Sequence, residues 1–485
     1  MASIKKNFFY SSILTTSNIF FAFVTYPYVS RVLGVANIGL CNWVDSVINY
    51  FLLFSMMGIV VVGNREIASC QHDNNKLNAT FSSLLFLNAI FTFVSCIILL
   101  ILIFTIPQFN EHKDLLLVGF FKLLTNFLNI EWFYKGLEKF KYVTTCSLIV
   151  KILYVVLVFT LVKTPNDYFI FYLLSALTVV VSAIVNFIYS SKFSCFCLNT
   201  INVKPFIKPF IIFGIYTVLT SAYTSLNITY LGFVSGEVEV GYYTTATKLF
   251  TIITSLFTAL TGVIMPRASA LVSEGRIDDV NYILQKTIRV VFCLSSPVII
   301  MGTLCASQII KIISGPGYEG ALVPMQITMP LILVIGMEQI LIIQGLMPLK
   351  KDKAVMLGTS IGAVVSIASN ILLTTYFASV GAAIVWVLSE LIVFANAAFY
   401  MRKYMNFKIP YHFLMKNIVS YIPLTILILF VNSIIQDYIL SFSIFGIATI
   451  IYFVVIQIAY LKEPTIVELI KKIILCKHTT NTNCL

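Results

Sequence analysis

The sequence predicts an all-α polytopic membrane protein, and long apolar stretches, alternating positive charge and an internal repeat support that prediction. Hydrophobic residues make up 59% of the chain and charged residues 11%, whereas a soluble domain carries roughly 25% charged residues. A membrane-spanning helix needs about 20 apolar residues. Fourteen stretches meet this need, at 8–30, 40–63, 81–106, 114–134, 143–162, 167–189, 209–235, 241–265, 286–313, 323–348, 354–376, 380–401, 414–434 and 438–461.

Positive charge falls in alternate gaps between these stretches. Of the 32 Lys and Arg, 25 lie at the two termini or in the even-numbered gaps. Because cytoplasmic loops retain Lys and Arg, the pattern predicts that both termini are cytoplasmic. A net charge of +12 would suggest nucleic acid in a soluble protein. Here the anionic lipid head groups of the membrane account for it, so we expect membrane lipids and no nucleic acid as partners.

An internal repeat relates residue n to residue n + 202. Gly34 and Gly39 then align with Gly236 and Gly241 around equivalent outer turns. Six apolar stretches separate the copies, which gives both the same orientation and predicts a parallel pseudo-twofold repeat. The expected domains are a six-helix lobe at 1–200, a second six-helix lobe at 201–405, two additional helices at 406–461 and a cytoplasmic amphipathic tail at 462–485.

Cations within apolar stretches are candidate functional residues, because a charge in the membrane must pair, snorkel or face water. Lys122 lies on a polar stripe at helical spacing with Thr125, Asn126 and Asn129, and Lys248 lies on a second such stripe. Arg31 marks the outer end of the first stretch. Hydrogen bonding between helices is the alternative explanation for such stripes. With the two lysines included, a hydrated cavity for an anionic ligand is favoured. Further polar candidates are Asp45, Asn49, Asn126 and Lys151.

Three carboxylates in the apolar stretches bear on ion coupling. Asp45 could pair with Arg31 or Lys248 and so neutralise an empty site. Glu338 and Glu390 lie in mid-stretch, where burial favours protonation, and a structural hydrogen-bonding role is the alternative. The sequence shows no metal-ligand cluster, nucleotide-binding loop or nucleophile–base pair. We therefore expect no catalysis and no cofactor, with a proton or sodium gradient as the candidate driving force.

Several segments resemble Wzx-type polysaccharide flippases, which belong to the MOP superfamily with MATE exporters and MurJ. The resemblance rests on an ordered set that covers nearly the whole chain: YPYVSRVLG followed by IGL, NREIAS, EWFYKGLEKFKYVT, VGYYTTATKLF and ISGPGYEGA. It implies the MOP fold. It also implies transport of an undecaprenyl-pyrophosphate-linked oligosaccharide from the inner to the outer leaflet of the bacterial cytoplasmic membrane.

The resemblance also implies roles for particular residues and partners. Arg31 and Lys248 match positions where related flippases carry cations that hold the pyrophosphate, whereas Lys122 rests mainly on its stripe. The polymerase and the chain-length regulator of the same pathway are the implied protein partners. A MATE-like exporter of small molecules is the alternative, and it should show a cavity dominated by carboxylates. A membrane polymerase is disfavoured because the outer loops are short.

Overall fold

The fold is entirely helical over the part of the chain that the structure describes. The structure is a computed structural model, and it describes residues 4–435 and 437–468. No β-strand occurs within these residues. The all-α prediction is therefore confirmed. The amphipathic tail predicted over 462–485 falls largely outside the described residues, which end at 468.

The helices vary from single turns to runs of more than 50 residues. The α-helices are Ile4–Met56, Ile59–Cys70, Asn74–Thr105, Pro107–Glu111, Lys113–Leu124, Glu131–Gly136, Phe140–Leu161, Tyr168–Ser190, Lys204–Thr224, Leu226–Ser235, Glu237–Ser273, Ile277–Leu304, Ala306–Ile313, Leu322–Thr328, Leu331–Gln339, Asp352–Ser369, Thr375–Met405, Tyr411–Ser420, Ile422–Ile434 and Tyr438–Ile456. The 3-10 segments are Asn126–Leu128, Pro165–Asp167, Leu198–Thr200 and Glu319–Ala321. The π-helical segments are Ile340–Leu346, Asn370–Thr374 and Gln457–Leu461.

Many of these helices are long and apolar enough to cross a membrane. Ten helical stretches of the described chain qualify, and a pair bent by 51°, Lys204–Ser221 with Leu226–Ser235, makes an eleventh. Two of the ten, Ser12–Cys70 and Asp352–Met405, have 59 and 54 residues. At 1.5 Å per residue each exceeds about 80 Å, more than twice the roughly 30 Å of the hydrocarbon core. Each has room for two crossings, so a multi-pass membrane protein is confirmed, and the number fourteen stays a prediction.

The backbone breaks in the same way at two positions that are 202 residues apart. Gly34 has φ 75° and ψ 172°, and Gly236 has φ 80° and ψ −179°. Side chains strongly disfavour this conformation, and glycine adopts it without cost. Further along the same two helices, Nδ2 of Asn42 donates to Oγ1 of Thr244 at 3.0 Å, and these residues are again 202 apart. The shared geometry supports the predicted repeat around this outer turn.

A reciprocal contact of glycines lies next to these breaks. A Cβ on Gly39 would overlap the carbonyl oxygen of Glu237, and a Cβ on Gly241 would overlap that of Val35. The two contacts are equivalent under the 202-residue shift, because Val35 aligns with Glu237 and Gly39 with Gly241. Because Gly39 and Gly241 have no side chain, the backbones of the two helices can come into direct contact. Such close approach through small residues is a common way to join helices in a membrane.

The described chain divides into two compact units. The first comprises Met1–Thr244 with Ser366–Ala382, and the second comprises Thr245–Val365 with Ala383–Leu485. In the first unit Trp132 and Phe133 pack against Phe81, with ring centroids 6.2 and 4.6 Å from Phe81. In the second, Tyr421 and Phe445 are buried in one cluster. The four domains expected from the sequence stay a prediction.

Candidate functional site

An ion pair between Lys122 and Asp45 is the main polar feature of the first unit. Nζ of Lys122 donates to Oδ1 of Asp45 at 2.6 Å. The lysine side chain is 11% exposed and the aspartate side chain 39% exposed. Nδ2 of Asn49 donates to the other carboxylate oxygen, Oδ2, at 3.3 Å. The cation is therefore buried behind a carboxylate that water can reach.

The sequence suggested Arg31 or Lys248 as the partner of Asp45, and the structure pairs it with Lys122 instead. The reason lies in the packing of Lys113–Leu124 against the first long helix. A Cβ on Gly119 would overlap the side chain of Ile48, so the missing side chain lets these helices approach closely. Gly119 precedes Lys122 by three residues and Ile48 follows Asp45 by three. This antiparallel register brings the amino group onto the carboxylate.

The polar stripe predicted around Lys122 does not lie on one helix, so that part of the prediction is wrong. The α-helix ends at Leu124, a 3-10 segment covers Asn126–Leu128, and helix resumes only at Glu131. Side chains of Thr and Asn compete with the helix for backbone hydrogen bonds, which favours termination here. Asn126 turns inward, and its Nδ2 donates to Oγ of buried Ser55 at 3.2 Å. This hydrogen bond joins the 3-10 segment to the first long helix.

Two further cations of the first unit have different surroundings. Arg31 is exposed and lies three residues before the break at Gly34. Lys151 is half-buried on the helix Phe140–Leu161 and interacts electrostatically with Glu131. The carboxylate of Glu131 also accepts from Nζ of Lys135 at 3.1 Å. Arg31 is thus the more exposed of the two.

Lys248 belongs to the second unit. It is half-buried on the helix Glu237–Ser273. One turn further along, Oγ1 of Thr251 donates to the carbonyl oxygen of Thr247 at 2.7 Å. The Thr251 hydroxyl therefore forms its hydrogen bond within its own helix, as serines and threonines in apolar helices commonly do.

Glu338 and Glu390 meet in the second unit, although their spacing in the sequence does not indicate that they are close. The two residues are 8% and 4% exposed, and their carboxyl groups lie close enough to interact with each other. Nε1 of Trp386 donates to Oε1 of Glu390 at 3.0 Å. The indole in turn packs edge-on against Phe250, with ring centroids 4.9 Å apart. Sequence reasoning identified both acids and missed that they form a pair.

A buried amide network in the first unit was also missed. Nδ2 of Asn370 donates to Oδ1 of Asn227 at 2.7 Å, and Nδ2 of Asn227 donates to the hydroxyl of Tyr243 at 3.2 Å. Oγ1 of Thr374 donates to Oδ1 of Asn370 at 2.8 Å. In the sequence Asn227 has Thr220 and Thr224 at helical spacing, and Asn370 has Ser366 and Thr374 at helical spacing. Nothing in the spacing along either segment shows that the two asparagines meet. The network stabilises helix contacts by satisfying buried polar groups.

Known proteins resemble this chain in sequence and in fold. Two bacterial relatives carry the name "Putative O-antigen transporter". The protein from Escherichia coli (strain K12) is 24% identical over 403 residues, 82% of this chain and 97% of the relative. The protein from Shigella dysenteriae is 24% identical over 272 residues, 55% of this chain and 68% of the relative.

Among solved structures, the fold is similar to that of the lipid II flippase MurJ in an inward closed conformation. The TM-score is 0.76 at 13% identity, over 92% of this chain and 98% of that one. An inward-facing MATE multidrug transporter of the MOP superfamily gives a TM-score of 0.60 at 13% identity, over 80% and 94% of the two chains. The family model described as "Polysaccharide biosynthesis protein" matches residues 4–272, more than half of the chain. The chain therefore belongs to this polysaccharide biosynthesis protein family and has the all-α fold of the MOP superfamily.

Proposed function

We propose that this protein is a flippase for an undecaprenyl-pyrophosphate-linked oligosaccharide. The protein moves this O-antigen or capsule repeat unit from the inner to the outer leaflet of the bacterial cytoplasmic membrane, and both of its termini are cytoplasmic. The observation that carries the proposal is the similarity to the Escherichia coli relative, which extends over 82% of this chain and almost all of that protein. The MurJ-like fold agrees with a lipid-linked cargo.

The chemistry of the cargo explains what the chain must provide. A sugar head group cannot cross hydrocarbon, so it needs a hydrated path, whereas the polyprenyl tail stays in lipid. Alternating access between two lobes supplies that path without opening a continuous pore. In this mechanism the protein moves the molecule intact, and no bond of the cargo is broken. The polymerase and the chain-length regulator act on the delivered unit.

Cations hold the diphosphate in the proposed mechanism. Arg31 is exposed and Lys248 is half-buried, and a guanidinium binds phosphate oxygens in a two-pronged geometry. Lys122 is occupied by Asp45, so an incoming diphosphate must compete with that carboxylate for it. The pair keeps the buried lysine compensated while no cargo is bound. The sequence predicts that Asp45 neutralises a cation of the empty site, and in the structure the paired cation is Lys122.

A MATE-like exporter of small molecules is the second candidate, and one observation favours it. The exposed member of the Asp45–Lys122 pair is the carboxylate, and carboxylates attract cationic ligands. The structural similarity to a MATE transporter agrees with this alternative as to fold alone. Replacing Arg31 and Lys248 distinguishes the two candidates, because an exporter of positively charged small molecules does not need residues that bind a diphosphate.

Alanine variants of the cations test the proposal. Arg31→Ala and Lys248→Ala are introduced into a strain that lacks the chromosomal gene, and surface glycan is compared with the amount of protein in the membrane. We expect at least a tenfold loss of surface glycan at normal protein amounts. Lys113→Ala is the matched control, because Lys113 is an exposed cation outside the candidate site. Normal glycan in both site variants would overturn the anion-binding proposal.

A further inference from the structure

The carboxyl groups of Glu338 and Glu390 meet inside the second unit, although 52 positions separate them in the chain. Glu338 is the penultimate residue of Leu331–Gln339, and Glu390 lies in Thr375–Met405. The two carboxyl groups lie close enough to interact with each other. An ionised carboxylate only accepts hydrogen bonds, so two adjoining carboxyl groups can form a hydrogen bond only when one of them carries a proton.

An unsatisfied oxygen points to the same proton. Oε2 of Glu338 is buried and receives no hydrogen bond from any donor among the described residues. Buried polar atoms nearly always have a partner, and an exception calls for an explanation. A proton shared with Glu390 supplies the missing partner without any additional group.

The neighbouring charged residues do not take over the role of this proton in offsetting the negative charge of the pair. Among the described residues, the groups that act on the two carboxyls are the carboxyls themselves and the indole of Trp386. Arg289, on the neighbouring helix Ile277–Leu304, lies over the ring of Phe413 with its Cζ 5.5 Å from the centroid, and it acts on Glu463. Two adjacent negative charges without a cation are strongly unfavourable in an apolar interior.

We propose that Glu338 and Glu390 form an exchangeable proton-binding site that drives transport. In one state the pair shares a single proton and carries one negative charge. In the other state the second carboxylate oxygen takes up a proton from water, and the pair becomes neutral. A π-helical segment, Ile340–Leu346, follows Glu338 almost directly, and such irregular segments often occur at functional sites. Only the link between this site and cargo movement rests on the proposed function.

Trp386 provides a readout that does not depend on transport. Its indole donates to Glu390, so a change in the charge of the pair changes the fluorescence of this tryptophan. The chain contains two other tryptophans. The purified full-length protein is titrated in detergent, and the signal of Trp386 is obtained by subtracting the titration of Trp386→Phe. Infrared difference spectra of the same samples follow the carbonyl stretch of protonated carboxyl groups independently of any tryptophan.

We expect a pH-dependent transition in the wild type that both Glu338→Gln and Glu390→Gln abolish. Each substitution keeps the size of the side chain and removes one titrating group. Glu319→Gln is the control, because Glu319 is an exposed acid of the same unit, and it should leave the transition unchanged. A transition that survives in both pair variants, or no transition by either method, would overturn the proton site.

The link to transport is tested by measuring surface glycan in the gene-deleted strain that carries each variant. Loss of glycan in both pair variants at normal membrane amounts supports coupling. Normal glycan, together with an abolished transition, would overturn coupling while the proton site stands. If the gene-deleted strain itself displays normal glycan, the proposed function fails, and the titration still decides whether the proton site exists.

Discussion

At the scale of residues, the pair of Asp45 and Lys122 shows how a charge is accommodated inside an apolar helix bundle. The amino group lies 2.6 Å from the carboxylate and is largely removed from solvent. Breaking a fully buried pair by removing one partner costs roughly 3–5 kcal/mol, because the other charge is left uncompensated. Here removing Lys122 should cost less than removing Asp45, since water reaches the carboxylate that is left behind.

This asymmetry predicts the stability of three variants. Asp45→Asn strands a buried cation and should lower the thermal unfolding midpoint of the purified protein. Lys122→Met leaves only a half-exposed carboxylate and should lower it less. The double variant removes both charges and should recover part of the loss. Scanning fluorimetry in detergent measures all three midpoints. A double variant that is no more stable than Asp45→Asn would show that the pair does not compensate the lysine.

Helices and their contacts were predictable only in part from the sequence. Apolar length and charge spacing predicted the helical, multi-pass class correctly, because each helix must satisfy its own backbone in lipid. The stripe from Lys122 to Asn129 failed because periodicity assumes a continuous helix, and this one ends at Leu124. The pairing of Glu338 with Glu390 depends on tertiary packing, which residue spacing along one segment does not encode.

The reciprocal glycines make the clearest prediction for a helix contact. A methyl group on Gly39 or Gly241 would overlap a backbone carbonyl of the other helix, so Gly39→Ala and Gly241→Ala should force these helices apart. We expect a loss of transport of severalfold or more, read as surface glycan per amount of membrane protein. Gly446→Ala is the control, since its new methyl group meets nothing within 4 Å. Equal glycan in all three variants would contradict the close contact.

For the molecule as a whole, the alternating charge predicts an orientation that fusions can test. A reporter that is active only outside the cytoplasm should be active when fused after Gly236 and inactive when fused after Lys351. The physical reason is that Lys350, Lys351 and Lys353 cluster in one loop, and cytoplasmic loops retain such clusters. The opposite pattern of activity would invert the topology.

The proposed movement of a lipid-linked oligosaccharide across the membrane can be tested on the lipid intermediates of a gene-deleted strain. The measurement extracts undecaprenyl-linked glycans from such a strain, identifies them by mass spectrometry and determines their leaflet by accessibility to an impermeant reagent. We expect one complete repeat unit on undecaprenyl pyrophosphate to accumulate, confined to the inner leaflet, and to disappear when the wild-type gene is restored. A repeat unit that reaches the outer leaflet at the normal rate without this protein would show that this protein is not its flippase.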